Sequence, residues 1–284
     1  MKFANVNGRS ALVRDDRYLD LEKASNGRLP ADPARSFEQW ADVLEVASSS
    51  PDDGWQPLDP ALLDAPSPRP RQVFAIGLNY RKHAEEAGLD LPSSPATFTK
   101  FPSSITGPYD EVQLPTNNVD WEVELVAVLG KEARYVTESA AWDYVAGVTV
   151  GQDLSERIVQ VAGGRQFSLG KSFAGFAPIG PWLVTPDELP DRDDLALSCA
   201  IGDETLQESR TSDLVFSVPE LIAHLSQICT LYPGDVIFTG TPSGVGNART
   251  PKRFLQPGET LTSTIEGIGR MANPMCAADR PFTF

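Results

Sequence analysis

The sequence predicts an α+β, β-rich fold in which a small N-terminal β/helix module, residues 1–70, precedes a larger main domain, residues 71–284. Three observations predict it. Short apolar segments with period-two alternation, separated by turn residues, open the chain. A proline-rich, extended stretch, Asp64-Ala65-Pro66-Ser67-Pro68-Arg69-Pro70, marks a boundary. Beyond it, strand and helix patterns follow in mixed order, which disfavours a doubly wound sheet or a TIM barrel.

Residues 2–6, 10–13 and 18–21 alternate around the turns Asn7-Gly8 and Asp15-Asp16 and predict a β-meander. Residues 36–48 predict a helix that opens on Ser36 as its cap. The main domain begins with a buried strand at 73–77, then a helix from about Tyr80 to Ala87 that stops at Gly88. Further strands are expected at 121–129, 144–150, 195–201 and 235–239, and helices near 155–161 and 218–229.

The chain of 284 residues is long enough to bury a large core. It carries 24 basic and 39 acidic residues, a net charge of −15, which argues against nucleic acid and anionic membrane as partners. Cys199, Cys229 and Cys276 are scattered without a C-x-x-C spacing, so a disulfide framework and a zinc site are not expected. Cys229 falls in an apolar helical context and reads as a buried structural thiol, as His224 reads as a packed structural residue. No signal-peptide pattern opens the chain and no stretch approaches a membrane span, so the expectation is a soluble, cytoplasmic protein.

The most informative motif is Glu122-Val123-Glu124 within an apolar run. On a strand both glutamates share one face, about 7 Å apart, where they repel and lose hydration. A hard divalent cation bound through oxygen would offset that cost. The ordinary alternative, a solvated acidic face on an edge strand, is commoner for an isolated E-x-E. Asp153 ends a second apolar run at a strand terminus, where it could supply a further ligand or merely cap a helix.

His83 and Glu86 stand three residues apart on the predicted helix, so the carboxylate can orient the imidazole as a general base. A surface His–Glu pair is the plainer reading. Arg157 and Gln160 are likewise three apart, and an arginine fork there suits a substrate carboxylate. Lys171 lies on a glycine-adjacent turn; such lysines are usually exposed, but beside a metal this one would stabilise an anion. The loop Thr239-Gly240-Thr241-Pro242-Ser243-Gly244 lets backbone amides and hydroxyls approach a ligand, although it lacks a P-loop ending.

Taken in order, several segments resemble the fumarylacetoacetate hydrolase family. They are Gly77-Leu78-Asn79-Tyr80 with His83 and Glu86, Lys100-Phe101-Pro102-Ser103-Ser104, Trp121-Glu122-Val123-Glu124 and Gly151-Gln152-Asp153. Gly170-Lys171-Ser172-Phe173, Gly234-Asp235-Val236-Ile237 and Thr239-Gly240-Thr241-Pro242 complete the series. The resemblance spans the main domain from about Val73. It implies a mixed β-sheet roll, commonly a homodimer, and Mg²⁺ or Mn²⁺ held by Glu122, Glu124 and Asp153. It implies His83 and Glu86 as a water-activating dyad carried on a lid, Lys171 and Gln160 near the reacting oxygens, and Arg157 as the arginine that follows the metal aspartate. Arg157-Ile158 and Ala174-Gly175 stand where the family often has Arg-Asp and an acid after Lys-Ser-Phe, which puts the inherited substrate pocket in question.

The expected function is metal-dependent hydrolysis of a C–C bond in a β-diketone or acylpyruvate-type keto acid. His83 and Glu86 activate water, Lys171 adds positive charge, and Arg157, Gln160 and Thr241 bind substrate. The alternatives are oxaloacetate decarboxylation or dienoate isomerisation at the same enolate-stabilising site and, more remotely, a non-catalytic metal-binding protein.

Overall fold

A computed structural model describes residues 1–284 apart from Asp52, Ala87, Leu89, Arg165 and Phe284. Its strands are β1 (Lys2–Val6), β2 (Arg9–Arg14), β3 (Arg17–Asp20), β4 (Val73–Gly77), β5 (Ala96–Thr99), β6 (Val112–Leu114) and β7 (Val123–Leu129). They continue as β8 (Val145–Gln152), β9 (Ala177–Val184), β10 (Ala196–Ile201), β11 (Glu204–Arg210), β12 (Val236–Phe238), β13 (Thr260–Ile265) and β14 (Gly269–Ala277). The helices used below are α1 (Trp40–Ser48), α2 (Arg81–Glu86), α3 (Val159–Ala162) and α4 (Val218–Ile228). None of the described helices is long and apolar enough to cross a membrane.

The fold is α+β and β-rich, with mixed sheets. The main sheet runs β3-β2-β1-β9-β8-β7-β12-β4-β5, antiparallel except where β12 meets β4. A second sheet runs β11-β10-β13-β14-β6. β1 pairs directly with β9, so the N-terminal meander continues the main sheet, and Ser67 of the proline-rich stretch donates to the Gly234 carbonyl at 2.8 Å.

Strands β7 and β8 form the middle of the main sheet and are buried along their whole length, which explains their near-continuous apolar sequences. Val123, Leu125, Ala127 and Leu129 pack into one core with Val148 and Val150. Val126 and Val128 face a second core with Phe3, Trp40 and Phe238. Glu124 has the parity of Val126, so it points to that side at the end of the strand. Gly151 is required here, because a Cβ would sit 2.4 Å from Val126 Cγ2.

The expected meander, the strand at 73–77 and the four later strands are present within two residues of their expected bounds. The strand expected from 121 begins at Val123. Helix α2 starts at Arg81; its expected end at Ala87 lies outside the described residues. α4 carries the capping box that Ser217 and Glu220 permit. Three expectations are corrected. Ser36 does not cap a helix with its side chain but bonds Ser10 Oγ at 2.7 Å, and Asp32 caps the preceding turn Pro33–Ser36. The helix expected near 155–161 is replaced by the short strand Ser155–Glu156, paired with Val119–Asp120, and only then by α3. Cys229 and His224 are half-buried at the edge of α4 rather than fully packed.

Candidate metal centre and active-site cavity

The antiparallel register of β7 and β8 sets Val123 opposite Gln152, so Glu122 and Asp153 are cross-strand neighbours just beyond the strand ends. Asp153 N donates to Glu122 O at 2.9 Å, and Gln152 Oε1 accepts from Glu122 N at 2.8 Å. One carboxylate oxygen each from Glu122, Glu124 and Asp153 comes within 4.8 Å of the others, and all three residues are buried. With the next helix starting at Val159, Asp153 is not a helix cap.

Lysine and arginine side chains surround these acids. Lys171 Nζ donates to Glu122 Oε2 at 2.8 Å and to Asp153 Oδ2 at 2.6 Å. Lys100 Nζ takes the other oxygen of Asp153 at 2.6 Å and also donates to the Lys171 carbonyl. Arg157 places Nη1 2.7 Å from Glu122 Oε1 and Nε 2.8 Å from Asp120 Oδ2. Among the described residues, Glu124 receives only the Gly240 amide, at 2.7 Å. Gly240 holds φ at +105°, and a Cβ there would lie 2.7 Å from Asn79 Cβ, so the close approach needs glycine.

Electrostatics follows from this arrangement. Burial raises Glu122, but Lys171, Arg157 and His83 outweigh it and hold its carboxyl at about 2. Burial drives Glu124 well above the usual carboxylate range, and the charges on Asp153 and Glu122 push it further. Burial lowers both lysines. Asp153 and Glu122 together reverse that for Lys171, whereas Lys100 has only Asp153 in contact, sits beside Lys171, and stays below its ordinary value. Asp120, Glu122 and Asp153 thus pair with the three cations Lys100, Lys171 and Arg157, and Glu124, among the described residues, makes no ion pair. An all-oxygen donor set, in which Glu124 gains its charge by giving up a proton, fits a hard divalent cation.

A cavity of about 440 Å³ opens over Glu122 and Lys171. His83, Glu86, Arg157, Gln160 and Thr241 also line it. His83 Nδ1 lies 3.3 Å from Glu86 Oε2, and Glu86 in turn accepts the Gly244 amide through both oxygens at 3.0 and 3.1 Å. α2 is therefore latched to the Thr239–Gly244 loop across the cavity. Thr241 faces the cavity, but its hydroxyl donates to Val123 O at 3.0 Å and accepts from Gln207 Nε2 at 2.8 Å. Gln160 Oε1 accepts from Arg157 Nη1 at 3.1 Å.

Seven of the nine residues singled out from the sequence thus line one cavity, and the other two, Glu124 and Asp153, cluster with Glu122 at its edge. Sequence reasoning assigned no role to Lys100, Asp120, Gln152 and Gln207, of which the first three contact Asp153, Arg157 and Glu122 and the last holds Val123 and Thr241. Lys100 opens one of the segments that resemble the family, Lys100-Phe101-Pro102-Ser103-Ser104, but nothing in its neighbours points to Asp153 as its partner.

The family model for the Fumarylacetoacetate (FAA) hydrolase C-terminal region matches residues 72–276. A Rattus norvegicus protein named oxaloacetate tautomerase Fahd2a, mitochondrial, is 45% identical over 211 residues, 74% of this chain and 67% of that one. A Mycobacterium smegmatis crystal structure, provisionally described as an HpcE protein, is 53% identical with a TM-score of 0.93 over 98% of this chain and 100% of that one. Maleylpyruvate hydrolase from Sphingobium sp. SYK-6, in complex with manganese(II) and pyruvate, is 29% identical with a TM-score of 0.78 over 98% and 100%.

Proposed function

Because the chain belongs to the fumarylacetoacetate hydrolase family, we propose that it hydrolyses a carbon–carbon bond in a β-diketone or acylpyruvate-type keto acid with Mg²⁺ or Mn²⁺. The observation that carries this reading is the placing of the Glu122–Glu124–Asp153 cluster and the His83–Glu86 pair at one cavity. Glu122, Glu124 and Asp153 would hold the cation, which when bound polarises the oxygens of a 2-keto acid.

His83 turns Nδ1 to Glu86, leaving Nε2 to take a proton from water. Glu86 is itself anchored by the Gly244 amide, so the imidazole is held in one orientation. The hydroxide attacks the distal acyl carbonyl, the bond to the pyruvyl carbon breaks, and its electron pair passes into a pyruvate enolate. Lys171, buried and charged, stabilises the developing negative charge, and protonation of the enolate gives pyruvate beside the carboxylic acid. Arg157 and Gln160, bonded to one another, border the space in which the acyl group lies.

A second reading draws on the name of the rat relative: keto–enol exchange of oxaloacetate, which uses the enolate-stabilising groups without a water attack. Decarboxylation of oxaloacetate and isomerisation of a dienoate need the same groups. The test incubates the protein with acetylpyruvate or oxaloacetate in H₂¹⁸O with Mn²⁺, reads cleavage products by mass and follows the oxaloacetate enol by its ultraviolet absorbance. Label in the acetate, lost in His83→Ala, is expected. Accelerated oxaloacetate enol–keto exchange with intact acetylpyruvate replaces hydrolysis by tautomerisation, and silence on both with Mn²⁺ bound favours a binding protein. A cytoplasmic homodimer is part of the same proposal, which cell fractionation and light scattering test.

A further inference from the structure

A run of apolar side chains lines one part of the cavity. Phe98 lies next to the reacting end, its ring centroid 5.1 Å from Lys171 Nζ. Phe167 continues outward, edge to face with Phe98 at 5.7 Å. Ile76 and Val245 line the same space, and Val161, half exposed, stands at the mouth. Among the described residues that line the cavity, the permanent cations are Arg157 and Lys171.

Neither is free for a second carboxylate. Lys171 is shared between Glu122 and Asp153. Arg157 spends Nε on Asp120 and Nη1 on Glu122 and Gln160, and its Nη2 is shut away from solvent, 2.7 Å from Asp120 Oδ2. The remaining titratable groups facing this space, among the described residues, are His83, already paired, and Glu86 and Glu122, which repel an anion. A carboxylate placed there would lose its hydration without gaining a cation, since the further polar side chains of the lining include only neutral amides and a hydroxyl, those of Gln160, Asn247 and Thr241. An alkyl or aryl group would gain contact with the phenylalanines.

We infer that this cavity selects keto acids whose end remote from the 2-oxo acid group is apolar, an alkanoyl or aroyl chain, and discriminates against those ending in a second carboxylate. The rat and Sphingobium relatives are named for oxaloacetate and maleylpyruvate, both dicarboxylic keto acids, so this chain would differ from them. Phe98, Phe167 and Val161 are the residues that set the preference. The inference rests on the proposed reading only for which end of the substrate points inward.

Binding and turnover separate the two ideas. With Mn²⁺-loaded full-length protein, calorimetry is run on 2-oxobutanoate, 2-oxohexanoate and 2-oxoglutarate. Affinity is expected to rise roughly threefold to fourfold per methylene from 2-oxobutanoate to 2-oxohexanoate, and 2-oxoglutarate is expected to bind at least about tenfold more weakly than 2-oxohexanoate. Phe167→Ala should flatten the chain-length series, and Val161→Arg should narrow the gap to 2-oxoglutarate. Equal or tighter binding of 2-oxoglutarate overturns the inference. Acetylpyruvate and benzoylpyruvate are then assayed for cleavage. Tight binding of the apolar ligands without cleavage of either keeps the selectivity and removes the hydrolase reading. Cleavage accompanied by a preference for 2-oxoglutarate does the reverse.

Discussion

Replacing Lys171 with methionine keeps the bulk of the side chain and removes its charge. The ammonium is buried and lies 2.6 to 2.8 Å from Asp153 and Glu122, so its loss leaves two buried carboxylate oxygens without partners. Breaking one buried pair costs about 3–5 kcal/mol. Glu122 keeps Arg157 and Asp153 keeps Lys100, which holds the cost near that range rather than at twice it. For a chain of this length each kcal/mol is worth about 2 °C in melting temperature, so Lys171→Met should melt about 6–10 °C lower in EDTA. Added Mn²⁺ at about a hundred times its dissociation constant stabilises the native protein by about 2.7 kcal/mol. It should stabilise the variant more, because the acids released by the lysine attract the cation more strongly. Scanning calorimetry with and without Mn²⁺ makes the comparison. A metal-free variant that melts within 1–2 °C of the native protein would refute the idea that Lys171 compensates the acids, as would a deficit that widens with Mn²⁺.

Gly240→Ala should cost roughly 1–3 kcal/mol, from backbone strain at φ +105° and the approach to Asn79, and should weaken Mn²⁺ binding because the Gly240 amide holds Glu124; denaturant melts and Mn²⁺ titrations read both. Mn²⁺ binding should release a proton at a pH below the raised value of Glu124, since burial beside Asp153 and Glu122 keeps that carboxyl protonated without metal; calorimetry in buffers of different ionisation enthalpy measures it, and no buffer dependence would contradict the assignment. Glu122 lies below its unfolded value, so its contribution to metal-free stability is present above about pH 4.5 and is lost as pH falls toward 2. Glu122→Gln should therefore flatten the acid limb of the EDTA-treated protein's stability curve.

Much of this site was legible because strand geometry is simple. Period two placed Glu122 and Glu124 together, and an apolar run ending in Asp153 supplied a neighbouring strand. His83 and Glu86 were paired by helix spacing alone. Other features depended on contacts distant in sequence. Lys100 reaches Asp153 across 53 residues and Asp120 reaches Arg157 across 37, and no local pattern encodes either contact. Residues 155–161 misled because their spacing suits a helix, whereas pairing of Ser155–Glu156 with Val119–Asp120 overrides that local preference. The burial of Lys171 was likewise invisible, since a lysine beside glycine is ordinarily exposed and only the two acids hold it inside.

The central claim is that Glu122, Glu124 and Asp153 share one divalent cation at the edge of the cavity. Anomalous diffraction from crystals grown with Mn²⁺ tests it most directly. The account predicts a single manganese peak in contact with an oxygen from each of the three carboxylates, absent in Glu124→Ala. A peak elsewhere, or none at millimolar Mn²⁺ with the three acids still bound only to Lys100, Lys171, Arg157 and the Gly240 amide, would contradict it.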